Sequence, residues 1–138
     1  MVNKLYEASQ AGVDIQLVVR GNCSLITGIE GVSENIRING IIDRYLEHSR
    51  IFVFASGGEE KVFIGSADWM PRNLNNRIEV ITHDPVIKKE MKHIVEDGFK
   101  DTMQGRIVDG SGKNLFREEE TPFRSQEALY NHYLNENI

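Results

Sequence analysis

Apolar positions recur along the chain at two spacings, one helical and one strand-like, and together they predict an alternation of elements. Val2, Leu5 and Tyr6 fall at helical intervals, small Ser9 continues that face, and Gly12 ends the run. Val2 to Ala11 therefore reads as a helix. It opens at residue 2 with no capping residue, which predicts that the chain starts inside an element, with Met1 as an added start. Asp14 to Arg20 follows, and its Ile15, Leu17, Val18 and Val19 are too continuous for a strand with one wet face. The prediction is a strand covered on both sides, in parallel pairing. Helix, glycine turn and strand make half of a βαβ unit.

Residues 21–35 carry Gly21, Gly28 and Gly31 and read as loop. A second strand is predicted over Ile36–Ile42, a helical turn over Asp43–Glu47 and a third strand over His48–Phe54. Lys61–Ser66 then pairs back across the Ser56–Glu60 turn as a hairpin. Asp68–Asn76 reads as polar loop and Arg77–Thr82 as another strand. Asp84 as N-cap and Pro85 at the first position predict the clearest helix. Its stripe of Ile87, Met91, Ile94, Val95 and Phe99 runs out to about Met103. Beyond that, Ile107–Val108 and Asn114–Phe116 flank a glycine-rich turn as a short hairpin, and Ser125 caps a last helix bearing Ala128, Leu129, Tyr133 and Leu134. The expected organisation is an α/β core over 1–103 and a hairpin-plus-helix appendage over 104–138.

Composition narrows the function classes. The chain has 138 residues, 40% hydrophobic and 27% charged, which suits one globular domain and excludes disorder throughout. No apolar run approaches the roughly 20 residues of a membrane-spanning helix, and the polar start is unlike a secretory signal. Cys23 is the one cysteine, so neither an intrachain disulfide nor a cysteine metal cage can form; a reducing cytoplasm fits. The net charge of −5 argues against nucleic-acid binding through a broad basic surface. Basic residues are unevenly chosen. Up to residue 83 there are six Arg (Arg20, Arg37, Arg44, Arg50, Arg72, Arg77) and two Lys; from residue 84 there are three Arg and five Lys. Arginine's rigid donor fork suits phosphate and carboxylate oxygens, so anion chemistry is expected in the first part.

Four places carry candidate chemistry. His48, in Glu47-His48-Ser49-Arg50, can meet a phosphoryl group as nucleophile, acid or base while Arg50 neutralises its oxygens. A strand-end histidine without a task would look the same. His83, His93 and His132 have no such neighbours in sequence. Gly65-Ser66-Ala67-Asp68-Trp69-Met70-Pro71-Arg72-Asn73 ends a strand with small residues, which admit an anion to the backbone N–H groups. Ser66, Asp68, Arg72 and Asn73 add donors and an orienting carboxylate, although such loops also serve simply as turns. Arg20-Gly21 sits at the carboxyl end of the first strand, where open α/β sheets bind ligands. Glu79 interrupts an apolar strand. Covered by a second layer, it needs a cationic partner and becomes a candidate orienter of His48; at an edge it is merely wet.

The hairpin brings the His48 end of one strand beside the Ser66 end of its neighbour. His48-Ser49-Arg50 followed by Gly65-Ser66-Ala67-Asp68 resembles half of a phospholipase D-type site, without the acid that follows the basic residue in that motif: Ile51 to Ala55 carry no Asp. A fuller resemblance is to the C-terminal domain of bacterial polyphosphate kinases. It is carried by Ala11-Gly12-Val13, Leu17-Val18-Val19-Arg20-Gly21, Leu25, Gly31, Ser33-Glu34-Asn35-Ile36-Arg37, Arg44-Tyr45-Leu46-Glu47-His48-Ser49-Arg50 and Ser66-Ala67-Asp68-Trp69-Met70-Pro71-Arg72-Asn73. It covers essentially the whole chain, most specifically between about residues 10 and 82 and only loosely over 104–138.

The resemblance implies a phospholipase D-like α/β fold, a mixed sheet flanked by helices. It also implies reversible transfer of the terminal phosphate of ATP to polyphosphate, with Mg2+, in an enzyme that is cytoplasmic, or membrane-associated when full length, and homo-oligomeric when full length. The implied partners are polyphosphate, ATP and ADP, and the upstream domains of the same enzyme, which hold the family's phosphorylated histidine. Arg20 and His48 would contact nucleotide phosphates, Glu79 would support the site, Arg50 would be a second clamp, and Ser66, Asp68 and Arg72 would shape the pocket. The expectation is that Arg20 and His48 converge on one phosphate-sized pocket and that the isolated chain is inactive. Other classes keep a place: a phosphodiesterase completed by dimerisation, and a non-catalytic phosphate-binding module.

Overall fold

A computed structural model describes residues 1–76, 81–82 and 84–136. The elements run α1 (Val2–Gln10), β1 (Ile15–Val19), β2 (Ile36–Ile41), β3 (Arg50–Phe54), β4 (Lys61–Gly65), α2 (Pro71–Asn76), β5 (Ile81–Thr82), α3 (Lys88–Lys100), β6 (Gly105–Ile107) and α4 (Ser125–Glu136). They group into two compact units. Met1–Leu46 with the chain from Asp97 onward forms the first, and Glu47–Glu96 forms the second.

The first unit is built on a three-stranded sheet in the order β1-β2-β6. β1 runs parallel to β2, from Ile15 opposite Ile36 to Val19 opposite Gly40, and β6 is antiparallel to β2. Leu25, Ile36 and Ile38 form the core, and Val2, Leu5 and Tyr6 of α1 pack against it with Ile15, Leu17 and Val19. The parallel pairing is as expected, but the second face of β1 is covered only in part: Val18 packs against Gly98, which is buried on the chain from Lys88 to Lys100, yet stays exposed. Half-buried Ile15, Leu17 and Val19 alternate with exposed Gln16 and Val18. A run of β-branched residues fits a two-layered position and also one with a thinly covered outer face.

Close approach fixes two glycines in this unit. A Cβ on Gly40 would stand 2.9 Å from Val108 Cγ2, and one on Gly105 only 2.0 Å from the Asp101 carbonyl oxygen. Asp101 is fully buried. Its Oδ1 accepts the N–H groups of Gln104 (2.7 Å) and Gly105 (3.1 Å), and its Oδ2 accepts both the N–H and the hydroxyl of Ser125 (2.7 Å each). Ser125 therefore does not cap α4. It is the first helical residue, and a carboxylate from 24 residues upstream supplies the negative charge that a helix start favours. Asn39 of β2 joins the same region, its Nδ2 donating to the carbonyls of Gly98 (2.9 Å) and Asp101 (3.1 Å).

The chain after residue 104 groups with this unit. The expected hairpin is present, with Arg106 bridged to Phe116, and its first arm is β6. The loop after β2, which shows a bend where a helical turn was predicted, is tied to the start of α4. Asp43 takes Arg124 Nε and Nη2 at 2.9 and 2.5 Å. Gln126 accepts the Tyr45 N–H at 2.8 Å and donates to the Tyr45 carbonyl at 2.7 Å.

The second unit carries the β3–β4 hairpin, in register from Arg50 opposite Gly65 to Phe54 opposite Lys61, with β5 on the far side of β4. The tight turn holds Gly57 at φ 66° and Gly58 at φ 102°, conformations that favour glycine. Two sequence expectations shift here. Residues 71–76 form the short helix α2 instead of loop, with Pro71 at a first position that suits its fixed φ. And α3 starts at Lys88, not at Pro85, because Asp84 spends its Oδ1 on the Val86 N–H (2.8 Å) in a turn that precedes the helix. Of the strand expected over Arg77–Thr82, residues 77–80 lie outside the described residues, and Glu79 with them.

Candidate active site

The hairpin register sets the site. Arg50 opens β3 opposite Gly65, which closes β4. His48 lies two residues before Arg50, and in extended chain residues two apart share a side. Asp68 lies three residues past Gly65, so the two strand ends bring a histidine, an arginine and a carboxylate together. Arg50 Nη2 donates to Asp68 Oδ1 at 2.6 Å. Arg50 Nη1 lies 2.7 Å from His48 Nδ1 and also donates to the His48 carbonyl oxygen.

Burial is graded across the three. The Arg50 side chain is 8% exposed and Asp68 31% exposed, while His48 is open to solvent. A buried guanidinium needs a charge partner, and Asp68 supplies it. The expected second clamp thus has its guanidinium turned to internal partners. Ile51–Ala55 carry no Asp, and the carboxylate that meets Arg50 comes from across the hairpin, at Asp68. Neighbouring packing fixes the loop that carries it: Ala67 is buried, and Trp69 stacks on Phe52 with ring centroids 5.2 Å apart.

The other candidates lie elsewhere along the chain. Ser66 is exposed just past β4, and Arg72 is exposed on α2, whose next residue, Asn73, is buried. Arg20 is half-buried past the end of β1, in the first unit, whereas His48, Arg50, Ser66, Asp68 and Arg72 belong to the second. Among the described residues no group of three or more His, Cys, Asp or Glu side chains is arranged to hold a metal ion. No helix among them is long and apolar enough to cross a membrane. A shallow cavity of about 420 Å³ in the first unit, lined by Thr102, Met103, Phe116 and Arg117, holds none of the candidate residues.

Sequence reasoning missed the Arg50–Asp68 pair. Its signal was present in the hairpin: counting back from the Ser56–Glu60 turn aligns residue 50 with 65 and brings residue 68 within reach of a long side chain.

Similar proteins share this arrangement of elements. The family described as polyphosphate kinase C-terminal domain 2 matches residues 1–126. The polyphosphate kinase of Escherichia coli K12 is 45% identical over 96% of this chain, and that of Vibrio vulnificus YJ016 is 46% identical over 98%. In both, the matched part is 20% of the relative's length, so the chain spans about a fifth of these proteins. The crystal structure of polyphosphate kinase from Porphyromonas gingivalis superposes with a TM-score of 0.91 at 43% identity, over 98% of this chain and 21% of that one. With the fold and the sequence matched over nearly the same residues, the chain belongs to the polyphosphate kinase C-terminal domain 2 family.

Proposed function

We propose that this chain acts as the C-terminal catalytic part of a polyphosphate kinase, in reversible transfer of the terminal phosphate of ATP to a polyphosphate chain. The observation that carries the reading is the His48–Arg50–Asp68 cluster: a solvent-facing imidazole braced by a part-buried ion pair, in a member of this family. Phosphoryl transfer asks a protein chiefly for positioning and for neutralisation of charge on the transferred group. Arg20 takes the neutralising role, as a guanidinium fork on phosphate oxygens. His48 meets the transferred phosphoryl group. Ser66 and Arg72 line its approach, and Glu79 supports the site as the family resemblance implies. Mg2+ brought with the nucleotide would help neutralise the phosphate charge; among the described residues no group of three or more His, Cys, Asp or Glu is arranged to hold it. The upstream domains of the longer enzyme complete the site, so the 138-residue chain alone synthesises no polyphosphate.

The test is a chimera in which this chain replaces the matching fifth of the Escherichia coli enzyme. It should synthesise polyphosphate from ATP. His48→Ala should lower synthesis by about 10²–10⁴-fold, and His93→Ala should leave it near the parent. Equal losses from both substitutions, or robust synthesis by the chain alone, would defeat the reading.

A further inference from the structure

We infer that Arg50 is a positioning residue that fixes His48 in the tautomer carrying its proton on Nε2, so that the imidazole meets its ligand as a hydrogen-bond donor. A guanidinium has five N–H donors, no acceptor, and stays charged in proteins. Arg50 Nη1 stands 2.7 Å from His48 Nδ1. Two N–H groups facing each other across that distance would clash, so Nδ1 must present its lone pair and the ring proton resides on Nε2. The second N–H of the same Nη1 goes to the His48 carbonyl oxygen, which holds the ring and its own backbone to one guanidinium. Asp68 in turn anchors that guanidinium through Nη2. A side chain 8% exposed, with these commitments, supports a neighbour and does not grip a mobile phosphate.

The consequence separates the roles open to His48. With Nδ1 occupied and Nε2 protonated, the ring has no lone pair to attack phosphorus. Giving up the Nε2 proton from the neutral ring would leave an imidazolate anion, so the ring does not serve as the acid either. What remains is a directed N–H dipole toward an oxygen that gains charge in the transition state. The last step, from donor to phosphoryl partner, rests on the function proposed above; the tautomer does not.

The test is long-range 1H–15N correlation spectroscopy of the ring nitrogens in the uniformly 15N-labelled 138-residue chain, at about pH 8, where free imidazole is neutral. The expected pattern has Nε2 in the protonated range and Nδ1 in the unprotonated range, displaced by an accepted hydrogen bond. In Arg50→Met the Nδ1 resonance should move toward its position in free imidazole, with His93 and His132 unmoved. In Asp68→Asn, which keeps an acceptor oxygen and serves if Arg50→Met fails to fold, it should move the same way by less. A proton on Nδ1 in the parent overturns the inference, as does an Nδ1 resonance that stays put in every folded variant. No substrate enters these measurements. An inactive chimera with the expected tautomer defeats the proposed function alone, and an active chimera with Nδ1 protonated defeats the inference alone.

Discussion

Two carboxylates, Asp101 in the first unit and Asp68 in the second, show how differently a charge can be used. Asp101 is saturated. Its two oxygens take four donors, three of them backbone N–H groups, and no part of it reaches solvent. It holds the start of α4 against the turn that leads into β6. Asp68 meets one guanidinium that has another task, and that guanidinium reaches an imidazole at the surface. A fully satisfied carboxylate locks chain to chain. One at the end of a line of contacts orients something that must remain available. The contrast lets structural and chemical charges be told apart by following their partners outward.

The comparison breaks most sharply at Gly105. Gly105→Ala puts a Cβ where the Asp101 carbonyl oxygen stands, and a backbone atom cannot yield as a side chain can. The expected result is loss of cooperative unfolding in thermal melts. Asp101→Ala follows: it strands buried N–H donors and should cost about 3 kcal/mol or more in denaturant titrations. By contrast, Asp68→Asn should leave the melt closer to the parent while moving the His48 ring signals. If the two carboxylate variants destabilise alike, the distinction drawn here fails.

A smaller effect concerns Asp43, whose carboxyl Arg124 holds below the usual aspartate range through their hydrogen bonds. A carboxyl depressed in the folded state stabilises above its unfolded value, about 4, and that contribution fades as pH falls through the lower folded value. Arg124→Ala should therefore lower the melting temperature at neutral pH, and the gap from the parent should close under acid. A gap that persists unchanged at the acid end would show that the pair acts by packing rather than by charge. Least is expected of Lys4→Ala. Lys4 and Glu7 pair on the surface of α1 with both side chains more than half exposed, and the melt should not move.

What the sequence disclosed follows from how local each determinant is. The β3–β4 hairpin was legible because glycines at the turn and two apolar runs lie within 17 residues. His48 and Arg50 were legible as neighbours, and the mixed α/β class followed from α1, β1 and β2. Asp68 as the partner of Arg50 needed the strand register, and Asp101 as the cap of α4 needed a contact across 24 residues. Ser125 has the composition of a cap, which made the local reading attractive and misplaced its role. Asp84-Pro85 misled in a similar way, since an aspartate that can cap a helix can equally close a turn before one. β1 shows a third kind of limit: how wet its outer face is depends on what covers it, and that is no property of its own residues.

The pairings of Asp43 with Arg124 and of Tyr45 with Gln126 each join residues 81 positions apart. During synthesis the loop after β2 leaves the ribosome long before its partners do. Glu47–Glu96, continuous in sequence, has all of its own chain in hand by residue 96, whereas the first unit waits for the last dozen or so residues. The second unit can therefore close on itself before the contacts to α4 that complete the first are available.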